Sequence, residues 1–282
     1  DRNPSARWNP EKEVWYCDAC GAGGGAKDLA NQLGIELPEE ARGGGGAKPP
    51  ERAAQVHPSS GLTLEEYSRV KKLPIEFLHR IGVSEIPNYI DGPAVRMVYD
   101  VPGGECDVVR FRVAMDGEDR FKWRKGSKPI PYGLNSENLA RARDLGYLLL
   151  VEGESDAQTC WLHGVPAVAI PGASLYRKLL DKSAMYLAGI ERIYVLIEPD
   201  NGGVVVRDQI GDTKLKERLW TFDLGDSKDI SALHVADPNQ FLDRLQVSRA
   251  NADRYANLEA RERKARRNTL WDLCRHLATD IN

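Results

Sequence analysis

The chain holds no apolar run approaching the roughly 18 residues that a membrane-spanning helix needs, and no signal peptide opens it. A membrane partner is therefore not expected. Cysteine is scarce: there are five in 282 residues, with one close pair. That excludes a disulfide framework and points to a reducing cytoplasm. Neither sign of charge dominates, with 39 Lys and Arg against 42 Asp and Glu. Any nucleic-acid binding must then come from a local basic surface, not from the field of the whole molecule. There is no initial methionine, and the chain opens inside what reads as a motif, so a fragment of a longer protein is expected. The length still suffices for more than one domain with a sizeable core.

What is present centres on Tyr147-Leu148-Leu149-Leu150-Val151. This apolar run is too short for an exposed amphipathic helix and reads as a buried parallel strand. It stops at Glu152-Gly153-Glu154-Ser155-Asp156, after which Ala157 to Leu162 reads as a helix. A second strand, Ile193 to Ile197, ends in Glu198-Pro199-Asp200-Asn201-Gly202-Gly203. Val165 to Ile170 is another, and Trp220 to Leu224 a fourth that delivers Asp226 and Asp229. Open α/β sheets bind their ligands at the C-terminal ends of such strands. Carboxylate oxygens suit Mg²⁺ or Mn²⁺, which keep several waters and meet phosphate oxygens. The plainer alternative is that these acids cap helix N-termini. Their clustering on two strand ends favours a cation, because carboxylates repel one another without one.

Glu152-Gly153-Glu154-Ser155-Asp156, Glu198-Pro199-Asp200 and Gly225-Asp226-Ser227-Lys228-Asp229 resemble the three acidic motifs of the Toprim domain. That domain is shared by bacterial-type primases, type IA and type II topoisomerases and some nucleases. The resemblance implies that Glu152 is a general acid/base or metal ligand and that Glu198 and Asp200 stand where an Asp-x-Asp pair would hold the metal. It places Asp156 and Asp229 at supporting acidic positions, with Asp226 beside them. The chain departs from the pattern in opening the pair with glutamate, in the intervening proline, and in Ser231 where primases tend to show aspartate.

At the front, Ala6 to Asn9 and Val14 to Cys17 read as two short strands joined by a turn. Cys17-Asp18-Ala19-Cys20-Gly21 is half of a zinc site, since a structural zinc takes four ligands; a redox pair or coincidence are the other readings. With Asn3-Pro4-Ser5, Trp15-Tyr16 and Asp28-Leu29, it resembles the second half of the zinc ribbon of bacterial and phage primases. The resemblance implies that Cys17 and Cys20 are two of four Zn²⁺ ligands. Residues 1–42 thus form a partial ribbon and a helix (Lys27 to Leu37), and the Gly- and Pro-rich residues 43–60 a linker. A phosphate loop is not expected there, because no Lys-Ser/Thr follows and no strand precedes it.

Residues 61–140 read as a basic α+β module. Thr63 with Glu66 forms a capping box, a second helix starts at Pro74, and three strands follow near 94–99, 108–113 and 120–124. Alternation puts Arg110 and Arg112 on one face, with Lys122 and Arg124 in a similar row, Trp123 and Phe121 beside them, and Lys125 extending the run. Such a face is either simply solvated or a tract for single-stranded nucleic acid. Beside a Toprim core it resembles the primase module that holds template and nucleotides. Residues 141–245 form the Toprim-like α/β core, a parallel sheet flanked by helices, with Lys228 near its acids. Ser174 is expected to cap a helix running to Met185, Val204 to Leu219 to form a helix, and His234 to be a surface residue. Cys106, Cys160 and Cys274 read as packing residues. Residues 246–282 are expected to extend one long basic helix from Phe241. The whole implies a DNA primase acting on a single-stranded DNA template with ribonucleoside triphosphates, with a replicative helicase as a further partner. A Toprim nuclease and a non-catalytic single-stranded DNA-binding module stay open.

Overall fold

The computed structural model describes residues 61–261, apart from 91 and 118 and the side chains of 104–107, together with residue 264 and the backbone of 6–9, 14–17 and 23–25. The chain divides into two units, Asp1–His57 and Pro58–Asn282. In the first, β1 (Ala6–Asn9), β2 (Val14–Cys17) and β3 (Gly23–Gly25) form an antiparallel sheet in that order, with Ala6 opposite Cys17. The expected helix at Lys27–Leu37, the linker 43–60, and Cys20 and Cys274 lie outside the described residues.

The second unit opens with α1 (Leu64–Lys71), whose N-terminus is capped by the Thr63 hydroxyl accepting from Glu66 N at 3.1 Å. After α2 (Ile75–Arg80), an antiparallel sheet runs in chain order through β4 (Ser84–Ile86), β5 (Ala94–Val101), β6 (Gly104–Arg112) and β7 (Phe121–Trp123). Then come α3 (Ser136–Leu145), β8 (Tyr147–Val151), α4 (Glu154–Leu162), β9 (Ala167–Ala169) and α5 (Tyr176–Ser183). They are followed by β10 (Arg192–Leu196), α6 (Asn201–Gly211), β11 (Leu219–Phe222), α7 (Ile230–Ala236), α8 (Phe241–Ala250) and β12 (Asp253–Arg254).

The second sheet has the order β12-β11-β10-β8-β9. Its four long-connected strands are parallel, and β12 pairs antiparallel at the edge. Strand alternation divides its apolar side chains between two layers. Leu149, Val151, Leu196 and Phe222 join Tyr67, Met97 and Tyr99 from the preceding module in one core. Leu148, Leu150, Ile193 and Val195 pack with α5 and α6 in the other. The basic module and the parallel sheet therefore share a core, which fixes the antiparallel sheet against the acidic strand ends.

Several element boundaries differ from expectation. Helix α4 begins at Glu154, so Glu154 and Asp156 lie in its first turn, where backbone N–H groups are unpaired and acids are stabilised. Helix α6 runs Asn201–Gly211, and a 3₁₀ turn at Lys216–Arg218 replaces its expected end. Ser174 sits within the 3₁₀ turn Ala173–Leu175 and caps no helix. The expected long tail helix breaks at Asn251, where the chain turns back to pair β12 with β11, and helical backbone resumes over 255–261. No helix of the described residues is long and apolar enough to cross a membrane.

Candidate active site

Three parallel strands end on one edge, and each hands an acid to the loop behind it. Glu152 follows β8, Glu198 and Asp200 follow β10, and Asp229 lies beyond β11. Glu152, Glu154, Asp156, Glu198 and Asp229 line a cleft of about 360 Å³. Its opposite wall is basic and aromatic: Lys71, Arg110, Arg112, Arg120 and Phe121, with Lys228 at the rim. Lys71 carries no periodic signal in the sequence, and Arg120, which alternates with Lys122 and Arg124 there, lies just before β7 and lines the cleft, unlike those two. Lys71 and Arg120 reach the cleft through packing of α1 and the β6–β7 hairpin on the parallel sheet.

The acids differ in what holds them. Asp200 caps α6, its Oδ1 accepting from Gly203 N at 3.1 Å, and Asp229 caps α7, its Oδ1 accepting from Ala232 N at 2.7 Å. Helix capping thus accounts for one oxygen of each. Asp156 has both oxygens engaged: Oδ2 accepts from Gly153 N at 3.1 Å and Oδ1 from Ser231 N at 2.9 Å. It ties α4 to α7. Asp226 stands on an exposed turn and does not line the cleft, since β11 ends before the turn that carries it.

Glu152 is different, because its Oε1 is buried without a hydrogen-bond partner. A Cβ at Gly202 would lie 3.0 Å from Asp200 Oδ1 and 3.4 Å from Glu152 Oε1. Two carboxylates therefore converge where α6 presents no side chain. Burial, with Asp200 adding to it, raises the Glu152 pKa, and Lys228 opposes the shift. Burial, then Asp156, Glu152, Asp229 and Asp200, push Glu198 up to about 8. Burial and then Asp229 raise Asp156 to about 7, against the backbone hydrogen bond from Ser231 and the charge of Lys71. Carboxylates crowded in this way gain from any cation placed among them. Among the described residues, no group of three or more His, Cys, Asp or Glu side chains is gathered to hold a metal ion by itself. A cation here would draw its remaining ligands from water and a phosphate-bearing substrate, as Mg²⁺ ordinarily does.

Glu154 serves another purpose. It is 2% exposed, accepts from Arg110 Nη1 at 2.7 Å, and also accepts from the Tyr99 hydroxyl. This buried ion pair joins β6 to α4, one sheet to the other. Arg110 in turn lies over Phe121 at 4.0 Å and Trp123 at 4.9 Å. Arg112, 5% exposed, donates to the carbonyls of Ala114 and Met115 and lies over Tyr67 and Phe121. Both arginines line the cleft, but each already has protein partners.

The expected single basic face does not form. In the β6–β7 hairpin Arg110 opposes Trp123 and Arg112 opposes Phe121, whereas Lys122 opposes Phe111. Opposed residues share a face, so Arg110 and Arg112 sit with the aromatic rings and Lys122 and Arg124 point to the other side of the sheet. There Lys122 pairs with Asp119 at 2.7 Å, and Tyr89 stacks on Phe111. Arg124 and Lys125 are exposed and do not line the cleft.

His234, expected at the surface, is 2% exposed. Its Nε2 is 3.0 Å from Lys72 O and its Nδ1 3.0 Å from His163 Nε2, with Phe241 stacked on His163. A carbonyl only accepts, so His234 Nε2 carries hydrogen and, in the neutral pair, His163 Nε2 donates to His234 Nδ1. The pair closes the seam between α1, α4 and α7. Cys160 is buried, as a packing residue should be.

A parallel sheet ending in acids and an antiparallel sheet carrying arginines thus set carboxylates and cations in one cleft. Among solved structures, the chain matches the RNA polymerase domain of Mycobacterium tuberculosis primase DnaG with a TM-score of 0.57 and 13% identity, covering 70% of this chain and 78% of that one. It also matches the zinc-binding and RNA polymerase domains of Aquifex aeolicus primase, with a TM-score of 0.52, 15% identity, and coverage of 87% and 75%. The primase fragment of the bacteriophage T7 primase-helicase protein gives a TM-score of 0.50 and 17% identity, with coverage of 81% and 88%. In sequence, the chain is 28% identical to the Gene 57 protein of Mycobacterium phage D29 over 126 residues, 44% of this chain and 76% of that protein. No protein-family model matches it. The chain has a primase-type fold.

Proposed function

We propose that this chain is the priming part of a phage or mobile-element replication protein, joining ribonucleotides on a single-stranded DNA template. One observation carries this reading: on a primase-type fold, Glu152 and Glu198 line a cleft together with Lys71, Arg110, Arg112 and Arg120, and the Asp200 carboxylate approaches that of Glu152 at Gly202. Glu152, Glu198 and Asp200 would hold Mg²⁺ or Mn²⁺, which stabilises charge on the transferring phosphate when bound. The unpaired Glu152 Oε1 and the oxygen-only donor set fit such an ion.

The chain's own groups then divide the work. Lys71, Arg120 and Lys228 attract the triphosphate or template phosphates, being cleft cations outside the Arg110–Glu154 pair. Glu152, whose Oε1 has no hydrogen-bond partner, would either be a ligand of that ion or accept the proton of the attacking 3′-hydroxyl. Asp156 positions α7 and with it Asp229. Phe121, beside the guanidinium groups of Arg110, Arg112 and Arg120, offers a stacking wall beside the phosphates. Cys17 and Cys20 would be two of four Zn²⁺ ligands of a template-reading ribbon, and a replicative helicase would be the partner in cis or in trans.

A second reading rests on a specific observation. Asp200 and Asp229 each give an oxygen to a helix cap and Asp156 gives both to backbone N–H groups, which is what a site that binds DNA without chemistry would also show. The full-length gene product and its Glu152→Gln form, incubated with single-stranded DNA, labelled ribonucleotides and Mg²⁺ or Mn²⁺, separate the cases. Short oligoribonucleotides that vanish in Glu152→Gln are expected. Shortened template without synthesis would indicate a nuclease, and binding without either product the non-catalytic module.

A further inference from the structure

A second cavity, of about 580 Å³, shares no lining residue with the acidic cleft. Helix α4 touches both. Its first turn, with Glu154 and Asp156, lines the cleft, and Trp161, about 10 Å further along the helix, lines the cavity. The inner wall of the cavity is aromatic and apolar, formed by Phe77, Val98, Tyr132, Trp161 and Val165. Hydrogen bonds hold that wall in one shape. Trp161 Nε1 donates to Ala167 O at 3.0 Å, and Asn138 Nδ2 donates to Gly133 O at 2.7 Å and to Ala167 O at 2.8 Å. Tyr132 exchanges backbone hydrogen bonds with Ala169 at 2.8 and 2.9 Å, and its hydroxyl accepts from Gln158 Nε2 at 3.2 Å. The Trp161 ring lies against Gly133, where a Cβ would fall 2.5 Å from the ring carbon Cζ2. A preformed cavity of this size with rings on its wall suits a small planar ligand.

The rim is charged. Arg80 and Arg141 stand there with Asp100 and Glu137, all of them exposed. Among the described residues none of the four forms a salt bridge. Arg141 donates from Nε to the Gly164 carbonyl and lies against Gly164, which presents no side chain, so its two outer nitrogens face outward with no described partner. Arg80 sits beside the Phe77 ring, 5.5 Å from its centre. The ligand must therefore bring a flat ring, an anion and hydrogen-bond donors together. A nucleic-acid backbone does not fit, since the two carboxylates repel a row of phosphates. A single nucleotide does. Guanidinium forks bind its phosphate, the base stacks on the ring wall, and ribose hydroxyls donate to carboxylates, as in dinucleotide sites.

We propose that this cavity is a second nucleotide site, which takes a free ribonucleotide without a divalent cation. Arg80 and Arg141 hold the phosphates, Trp161 carries the base, and Asp100 or Glu137 accepts from the ribose. The site is separate from the triphosphate site of the proposed reaction and needs neither Glu152 nor a metal.

The test is isothermal titration calorimetry of the full chain with ATP, GTP, CTP and UTP in turn, in buffer without divalent cation, with tryptophan fluorescence read alongside. At least one nucleotide should bind one-to-one and quench the fluorescence. Arg141→Met should weaken that binding about ten-fold or more, and Arg80→Met, at an exposed position on another helix, should do the same independently. Trp161→Phe should remove the quenching, while Asn138 keeps the Ala167 carbonyl satisfied and the wall in place. Arg120→Met, which takes a cation from the acidic cleft, should leave binding unchanged. The proposal is overturned if none of the four binds at millimolar concentration, or if the quenching survives Trp161→Phe. It is overturned equally if binding is lost in Arg120→Met and kept in both Arg80→Met and Arg141→Met, since the nucleotide then sits in the acidic cleft. Equal affinity for the matching 2′-deoxynucleotide refutes the ribose contact. A chain that makes no primers leaves these outcomes untouched, because neither DNA, metal nor Glu152 enters the assay.

Discussion

Replacing Arg110 by methionine removes the cation from a carboxylate that is 2% exposed. What remains on Glu154 is the Tyr99 hydroxyl. Breaking a buried pair from one side costs about 3–5 kcal/mol, because a buried charge is left uncompensated. Arg110 is itself 15% exposed and methionine restores some contact with Phe121 and Trp123, which places the loss near the low end, about 3 kcal/mol. For a unit of this size, each 1 kcal/mol shifts Tm by about 2–4 °C, so Tm should fall by about 6–12 °C. Adding Glu154→Gln to Arg110→Met removes the stranded charge and leaves the Tyr99 hydroxyl an acceptor. The double variant should recover to within about 1 kcal/mol of wild type. Urea unfolding followed by tryptophan fluorescence measures both. The reasoning fails if Arg110→Met leaves Tm unchanged and weakens only single-stranded DNA binding, for then Arg110 is free to meet DNA. It fails equally if the double variant is as unstable as the sum of the single ones.

Without divalent cation, stability should fall as pH rises. Glu198 and Asp156 have pKa values raised to about 8 and about 7, so the folded chain binds their protons more tightly than the unfolded one. Their contribution is complete below the ordinary carboxylate range and is lost as pH climbs through 7 to 8. Tm of the metal-free chain should be higher near pH 5.5 than near pH 8.5, and Mg²⁺ should restore it at the higher pH; a rise of Tm with pH would contradict the crowding of these acids. Gly202→Ala places a methyl 3.0 Å from Asp200 Oδ1, so the chain should fold but need about ten-fold more Mn²⁺ for the same binding. Gly203→Ala puts Cβ against the Glu198 carbonyl, and soluble folded protein should be lost or Tm strongly lowered by that clash. His234→Ala opens a cavity and deprives His163 of its acceptor, costing about 2–3 kcal/mol in a urea titration.

The strand ends were legible because their signal is local. An apolar run too short for a helix, stopped by an acidic glycine turn, marks β8 and Glu152 without knowledge of anything distant. The Thr63 N-cap is equally local, although only the Thr63 half of the expected capping box forms, its hydroxyl accepting from Glu66 N. The face shared by Arg110 and Arg112 was legible within its strand, but the placing of Lys122 depends on hairpin register. Arg110 pairs with Trp123, and a shift of one residue would have brought Lys122 to the cleft. The partners of Glu154 were hidden for a similar reason, as Arg110 lies 44 residues away on another sheet. His234 reads as polar in any window, and only the arrival of His163, Phe241 and the Lys72 carbonyl makes it a buried residue. The acids illustrate a subtler limit. Asp200 and Asp229 are helix caps and strand-end carboxylates at once, so capping and ligand holding are not exclusive for a residue with two oxygens.

The most direct measurement is template-directed synthesis by the full-length gene product across a Mn²⁺ titration, with Glu152→Gln alongside. Products are sized and their sequence compared with the single-stranded DNA supplied. The account predicts short oligoribonucleotides complementary to the template, dependent on the cation and absent in Glu152→Gln. Synthesis that persists in Glu152→Gln, or a wild type that binds template and cation yet joins no nucleotides, would contradict it.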